Sequence, residues 1–188
     1  MFYHLVFPEG ERWQYAILPM EPEIDENTAG APFNMGTTGW ITSGAVLFDH
    51  RSTPDGNLAA YYEIETLDSC YGHSDPFLQY HYHLTPECID GAADSSACLL
   101  LGYMDDGFQV FGQCSSHNTC WRQAEGTTGD NMRDFYYDQA AFDAGECSLD
   151  ECGGKAVNGT YAYFTAPDFP YVPICRMGTK GKVCGFTP

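Results

Sequence analysis

Tyr80-His81-Tyr82-His83 alternates aromatic and imidazole side chains with a period of two. In an extended strand successive side chains point to opposite faces. This tetrapeptide therefore predicts a two-faced strand, with His81 and His83 on one side and Tyr80 and Tyr82 on the other. Two imidazoles two residues apart on a strand form a good chelate for zinc or copper, and His73 can return toward them to complete a facial set. The same histidines would also serve to cap backbone carbonyls or stack in an aromatic core.

Charge excludes whole classes of partner. Eight basic residues against 26 acidic ones give a net charge of −18. Nucleic acid requires the opposite sign, so it is not an expected partner. No apolar run approaches membrane-spanning length, so membrane insertion is not expected either. Such a surface attracts cations. Asp105-Asp106-Gly107 lies between two apolar runs, and Asp150-Glu151 forms a second acidic knot. Both supply the oxygens that calcium prefers. Asp106-Gly107 is more simply read as ordinary hairpin chemistry, and a solubility shell is the alternative account of the acidic charge.

Nine cysteines are present and none are spaced Cys-x-x-Cys. That spacing argues against a zinc ribbon or a thioredoxin-like motif and favours disulfides formed in an oxidising compartment. Proximity favours Cys70–Cys88, Cys152–Cys175 and the short loop Cys114–Cys120. One cysteine of the odd count is left free, links subunits or pairs with a thiol outside this sequence. Asn158-Gly159-Thr160 is an acceptor sequence for N-glycosylation, with a glycan as an attached partner. These features place the chain outside the cell or on its surface. No signal peptide is recognised in the first residues, which reads as a mature form.

The 188 residues suit one domain. Aromatic residues, at 15%, favour strands. Strands are expected at 1–7, Trp13–Leu18, Trp40–Asp49, Ala59–Thr66, Leu99–Tyr103, Phe108–Phe111, Tyr161–Thr165 and Tyr171–Ile174. A short helix is expected over Met132–Phe142, with Asp130 as N-cap and Gly145 after it. There is no solenoid repeat, although Tyr161-Ala162-Tyr163-Phe164 weakly echoes Tyr80-His81-Tyr82-His83. No nucleophile elbow, His-Glu-x-x-His, phosphate loop or dinucleotide fingerprint is present.

Together these segments resemble the YHYH domain family. The matching pieces are Gly39–Phe48, Leu67-Asp68-Ser69-Cys70-Tyr71-Gly72-His73, the motif at 80–83 with Cys88, Leu101–Gly112, Leu149-Asp150-Glu151-Cys152-Gly153-Gly154, and Asp168-Phe169-Pro170-Tyr171 with Cys175. They span roughly residues 38–178, leaving 1–37 as an N-terminal extension and 179–188 as a tail. The resemblance implies a secreted or cell-surface protein of no well-established activity. It also implies a second Tyr-His-Tyr-His where this chain reads Tyr161-Ala162-Tyr163-Phe164. A four-histidine site cannot form here, while a reduced one of His73, His81 and His83 can.

The expected fold is mainly β: a disulfide-rich antiparallel sandwich or distorted barrel with long loops and at most one or two short helices. The leading functional expectation is non-enzymatic. It is an extracellular structural protein that binds calcium at Asp105, Asp106, Asp150 and Glu151, with copper or zinc at the histidines, and associates with copies of itself into a surface or fibre assembly; its N-terminal strand is expected to close its own sheet or to pair with a neighbour's. The alternative is a secreted metalloenzyme, a copper oxidoreductase or zinc hydrolase, using His73, His81 and His83. A carbohydrate-binding module, resting on aromatics and acids, is a third reading.

Overall fold

A computed structural model describes residues 14–89 and 98–185. Its centre is a mixed sheet of eight strands: β1 (Thr37–Ile41), β2 (Val46–Phe48), β3 (Gly72–Ser74), β4 (Tyr80–Tyr82), β5 (Leu100–Met104), β6 (Gln109–Phe111), β7 (Gly154–Val157) and β8 (Thr160–Phe164). The spatial order is β7-β8-β6-β5-β1-β2-β4-β3. Among the described residues the protein is mainly β, with two short helices and four disulfides, and the sheet stays open. Two pairings, β2 with β4 and β6 with β8, are parallel, so the sheet is not purely antiparallel.

The order conceals a two-fold repeat. In the first half β1 and β2 form a hairpin, β2 runs parallel to β4, and β4 pairs antiparallel with β3. In the second half β5 and β6 form a hairpin, β6 runs parallel to β8, and β8 pairs antiparallel with β7. The halves meet at β1 and β5, where Trp40 opposes Tyr103, Gly39 opposes Met104 and Ile41 opposes Gly102. Under this symmetry Gly39 matches Gly102, and Tyr80 and Tyr82 match Tyr161 and Tyr163.

The match extends to side chains. Tyr80 Oη donates to Asp68 Oδ2 at 2.7 Å, and Tyr161 Oη donates to Asp150 Oδ2 at 2.8 Å. Each tyrosine crosses a glycine to reach its carboxylate. A Cβ on Gly72 would lie 2.3 Å from Tyr80 Oη, and one on Gly154 would lie 2.2 Å from Tyr161 Oη. Asp68 Oδ1 accepts from the backbone N–H of Cys70 and Gly72, and Asp150 Oδ1 from those of Cys152 and Gly154. Both turns are therefore built on one Asx device.

The main core lies on one face of the sheet. Ile41, Leu47, Tyr82, Leu101, Val110 and Tyr163 pack there with Phe33, Phe108 and Val172. Full burial of each large side chain contributes about 1.5–3 kcal/mol. On the other face Trp40 and Val46 are covered by Ala16 and Leu18. These follow from the ribbon that Gln14–Ile17 makes with Lys182–Gly185. Val46 faces His81 across the parallel pair, which places the imidazoles on this second face. The tyrosine face is core, as the alternation predicts.

Several expected elements differ. Ala59–Thr66 is not a strand: it is helix α1 (Ala59–Tyr62) followed by a 3-10 turn at Ile64–Thr66. Ala59 buries its small side chain, whereas Tyr61 and Tyr62 stay exposed, so no second buried face exists to hold a strand. Met132–Phe142 is broken into a 3-10 turn (Met132–Asp134), a strand (Phe135–Tyr137) and helix α2 (Gln139–Asp143). Phe135–Tyr137 pairs with Trp121–Gln123, and Asp138, rather than Asp130, caps α2 by accepting from Ala141 N. Trp40–Asp49 is the β1–β2 hairpin, turning at Gly44 with φ +101°. Tyr171–Ile174 is irregular, and the strand begins at Cys175. The expected strand at 1–7 lies outside the described residues.

Cys70–Cys88 and Cys152–Cys175 are both formed. Cys114–Cys120 is not. Cys114 bonds Cys98 and Cys120 bonds Cys147. Cys98 and Cys114 flank the open end of the β5–β6 hairpin, where Leu100 opposes Phe111, so strand pairing brings them together. Cys120 leads into the Trp121–Gln123 strand, away from Cys114 and toward the segment after α2. Cys184, the ninth cysteine, stands opposite Tyr15 in the terminal ribbon. Asn158 and Gly159 form the exposed two-residue turn between β7 and β8, with φ of +51° and +84°. This is the Asn-Gly hairpin geometry.

Candidate metal centre

His73 on β3 stands directly opposite His81 on β4, and His83 follows on the same face. Their Nε2 atoms converge: His73 to His81 is 3.0 Å and His81 to His83 is 3.0 Å. Glu63 closes the ring, with Oε2 at 3.2 Å from His73 Nε2 and 3.3 Å from His83 Nε2. All four donor atoms lie within 4.8 Å of one another. A metal with bonds of about 2.0–2.1 Å spaces adjacent donors about 3 Å apart.

Glu63 was not among the residues the sequence singled out. It sits at the junction of α1 and the 3-10 turn, where the chain bends toward β3. Reading 59–66 as a strand hid it. An acid at a helix end followed by the Asx turn at Asp68 is the signal that would have pointed there.

The Nδ1 partners fix the tautomers. His81 Nδ1 lies 3.0 Å from the carbonyl of Gln79, and His83 Nδ1 lies against the carbonyl of Asp49. A carbonyl only accepts, so both Nδ1 atoms carry the proton. His73 Nδ1 is 2.9 Å from Thr66 Oγ1, whose single proton is donated to the carbonyl of Glu63 at 2.7 Å. Thr66 therefore accepts from His73. All three Nε2 atoms then present lone pairs to one another. Such lone pairs cannot hydrogen-bond among themselves, and a shared cation satisfies them. Glu63 Oε2 is likewise buried without a hydrogen-bond partner. Outer partners that orient ligating imidazoles in this way are the usual support of a metal site.

Burial favours the neutral imidazole that ligation needs. It pushes the pKa of His83 down to about 4 and lowers that of His81. His81 and His83 are almost fully buried, and the Phe48 ring stacks on His81 at 3.8 Å as a fixed wall. Outward, the cluster faces a cavity of about 210 Å³ bordered by Met35, Arg51, Ser52 and Asp75. Arg51 is tied to Asp49, whose own pKa burial raises. His50, beside them, is 3% exposed and neither ring nitrogen has a hydrogen bond. Burial pushes its pKa down to about 3.

The structure thus gathers His73, His81 and His83, and places the acidic candidates elsewhere in internal roles. Asp105 pairs with Arg176 at 2.9 Å and Lys180 at 3.5 Å. Asp106 Oδ2 accepts from Tyr163 Oη at 2.6 Å, Met177 N at 3.1 Å and Gly178 N at 3.0 Å. Asp150 holds its Asx turn and Tyr161. Burial nevertheless raises the pKa of Asp106 and Asp150. The Glu151 residue is exposed, and its backbone carbonyl takes the indole N–H of Trp121 at 3.0 Å.

The second half carries no equivalent of the histidine cluster. Lys155 faces Ala162 where His73 faces His81, and Phe164 stands in the place of His83. Phe111 stacks on Phe164 at 5.5 Å, as Phe48 stacks on His81. Cys98, Cys114 and His117 also lie close together, but both sulfurs are in a disulfide.

A family model described as YHYH protein matches residues 17–178. The chain therefore belongs to the YHYH family. The match starts within the segment that the sequence set apart as an extension. No curated protein and no solved structure matches the chain.

Proposed function

We propose that this member of the YHYH family is an extracellular metal-binding protein that holds one divalent transition metal, copper or zinc, through Glu63, His73, His81 and His83. The observation that carries this reading is the convergence of three Nε2 lone pairs whose Nδ1 protons are all committed to oxygen acceptors. Nitrogen and carboxylate donors suit copper and zinc rather than calcium. Four disulfides support a setting outside the cytosol, where they form and persist. Among the described residues no helix is long and apolar enough to cross a membrane.

The 210 Å³ cavity favours a second reading of the same centre, a metalloenzyme. A water or small substrate entering from that side would complete the coordination, which is how catalytic metal sites differ from closed structural ones.

Elemental analysis after dialysis against copper or zinc tests the proposal. The expected result is one equivalent of metal, and less than a tenth of an equivalent in His81→Ala. Retention of the full equivalent by His81→Ala, or no metal in the unaltered protein, overturns it.

A further inference from the structure

A second cavity, of about 720 Å³, lies in the other half of the molecule and shares no lining residue with the metal cavity. Its size falls in the range of small-molecule sites. We propose that this cleft binds a neutral carbohydrate, stacking a sugar ring on its aromatic wall and hydrogen-bonding the hydroxyls with Arg122, Asp168 and Gln113.

The wall is built from Trp121, Phe135, Phe169 and Tyr171. It is rigid. Phe135 stacks on Phe169 at 4.1 Å, and Trp121 meets Phe169 edge-on at 5.2 Å. The indole N–H of Trp121 is anchored on the Glu151 carbonyl at 3.0 Å, which holds the ring in place. Trp121, Phe135 and Tyr171 remain half-buried and border the cavity. Aromatic rings offer an apolar face with little loss of side-chain freedom, which suits the flat C–H face of a pyranose.

The polar groups are held as firmly. Arg122 Nη1 donates to the carbonyls of Thr119 and Trp121, both at 3.1 Å. Gln113 Nε2 donates to Thr85 Oγ1 at 3.0 Å, and its Oε1 has no hydrogen bond among the described residues. Asp168 is exposed at the mouth. Planar groups that donate and accept in pairs match vicinal hydroxyls. One guanidinium and one carboxylate leave the lining neutral, because burial lowers the pKa of His117 and raises that of Tyr171. A net charge of −18 would repel an acidic glycan. The chemistry selects a neutral one.

Titration of the protein with soluble neutral hexasaccharides of glucose, mannose, galactose and N-acetylglucosamine, followed by tryptophan fluorescence and calorimetry, tests the proposal. At least one sugar should saturate at millimolar concentration or below. Trp121→Ala should weaken it at least tenfold. Asp168→Asn, an exposed change that leaves the fold intact, should weaken it several-fold. Addition of a metal chelator should leave it unchanged. Saturation by none of the four, binding that survives Asp168→Asn at full strength, or binding lost with the metal would overturn the assignment.

Discussion

β4 and β8 occupy equivalent places in the two halves of one sheet, yet they have opposite fates. Both keep tyrosines on the core face, and both send one tyrosine over a glycine to an aspartate. On the other face β4 presents His81 and β8 presents Ala162. The difference continues outward. Where Met35 and Arg51 border an open cavity in the first half, the equivalent positions beyond β5 and β6 hold the Cys98–Cys114 disulfide. Phe164 and His117 pack edge-on beside it at 4.5 Å. The architecture is duplicated, while the histidine cluster is confined to one copy. The tyrosine–glycine–aspartate device is therefore structural, because it is present also in the half that holds no histidine cluster.

The largest expected effect separates the two devices. Asp150→Ala leaves two backbone N–H groups and the Tyr161 hydroxyl without their acceptor in a half-buried turn, and should cost about 3 kcal/mol. Asp68→Ala removes the matching carboxylate from an exposed turn where water replaces it, and should cost about 1 kcal/mol. Urea unfolding of both variants makes the comparison, and equal losses would mean that burial does not distinguish the halves.

Acid should act through the first half. His50 and His83 have folded pKa values near 3 and 4, below the ordinary 6.5. The unfolded chain binds protons there that the folded chain refuses, so stability is full above pH 6.5 and falls as pH drops toward 4. The slope is about 1.4 kcal/mol per pH unit for each such imidazole. With chelator present, His50→Phe should flatten the fall by one proton's worth, as measured by denaturation midpoints between pH 7 and 5. An unchanged slope would place the acid-sensitive group elsewhere.

The smallest effect concerns orientation. Thr66→Val removes the acceptor of the His73 Nδ1 proton and should weaken metal binding about tenfold while leaving the stoichiometry intact. Lys155→Ala, at the position equivalent to His73, should leave the affinity unchanged. Competition with a chromogenic chelator reads both.

Much of this was legible in the chain. Period-two alternation correctly assigned Tyr82 to the core and put the imidazoles on the other face. Spacing alone favoured Cys70–Cys88 and Cys152–Cys175. The repeat was also present, in Leu67-Asp68-x-Cys70-x-Gly72 and Leu149-Asp150-x-Cys152-x-Gly154, but with Ala162 and Phe164 where the first copy has histidines it read only as an echo. Cys114–Cys120 failed because nearness in sequence says nothing about which hairpin end a thiol faces. Glu63 was missed because the apolar and aromatic residues of 59–66 fit a strand as well as a short helix.

The sequence by itself determined the two-faced strands, the disulfide-rich β class, the net negative charge and three of the four convergent side chains. These are local properties, set by side-chain period and composition. Tertiary structure alone decided the fourth member of the cluster, Glu63, the tautomers and the separation of the acidic residues from the histidines. Each depends on contacts across the fold: a helix end brought to a strand pair, a carbonyl at Asp49 facing a ring at His83, and a buried Asp106 claimed by Tyr163 and the chain at Met177–Gly178.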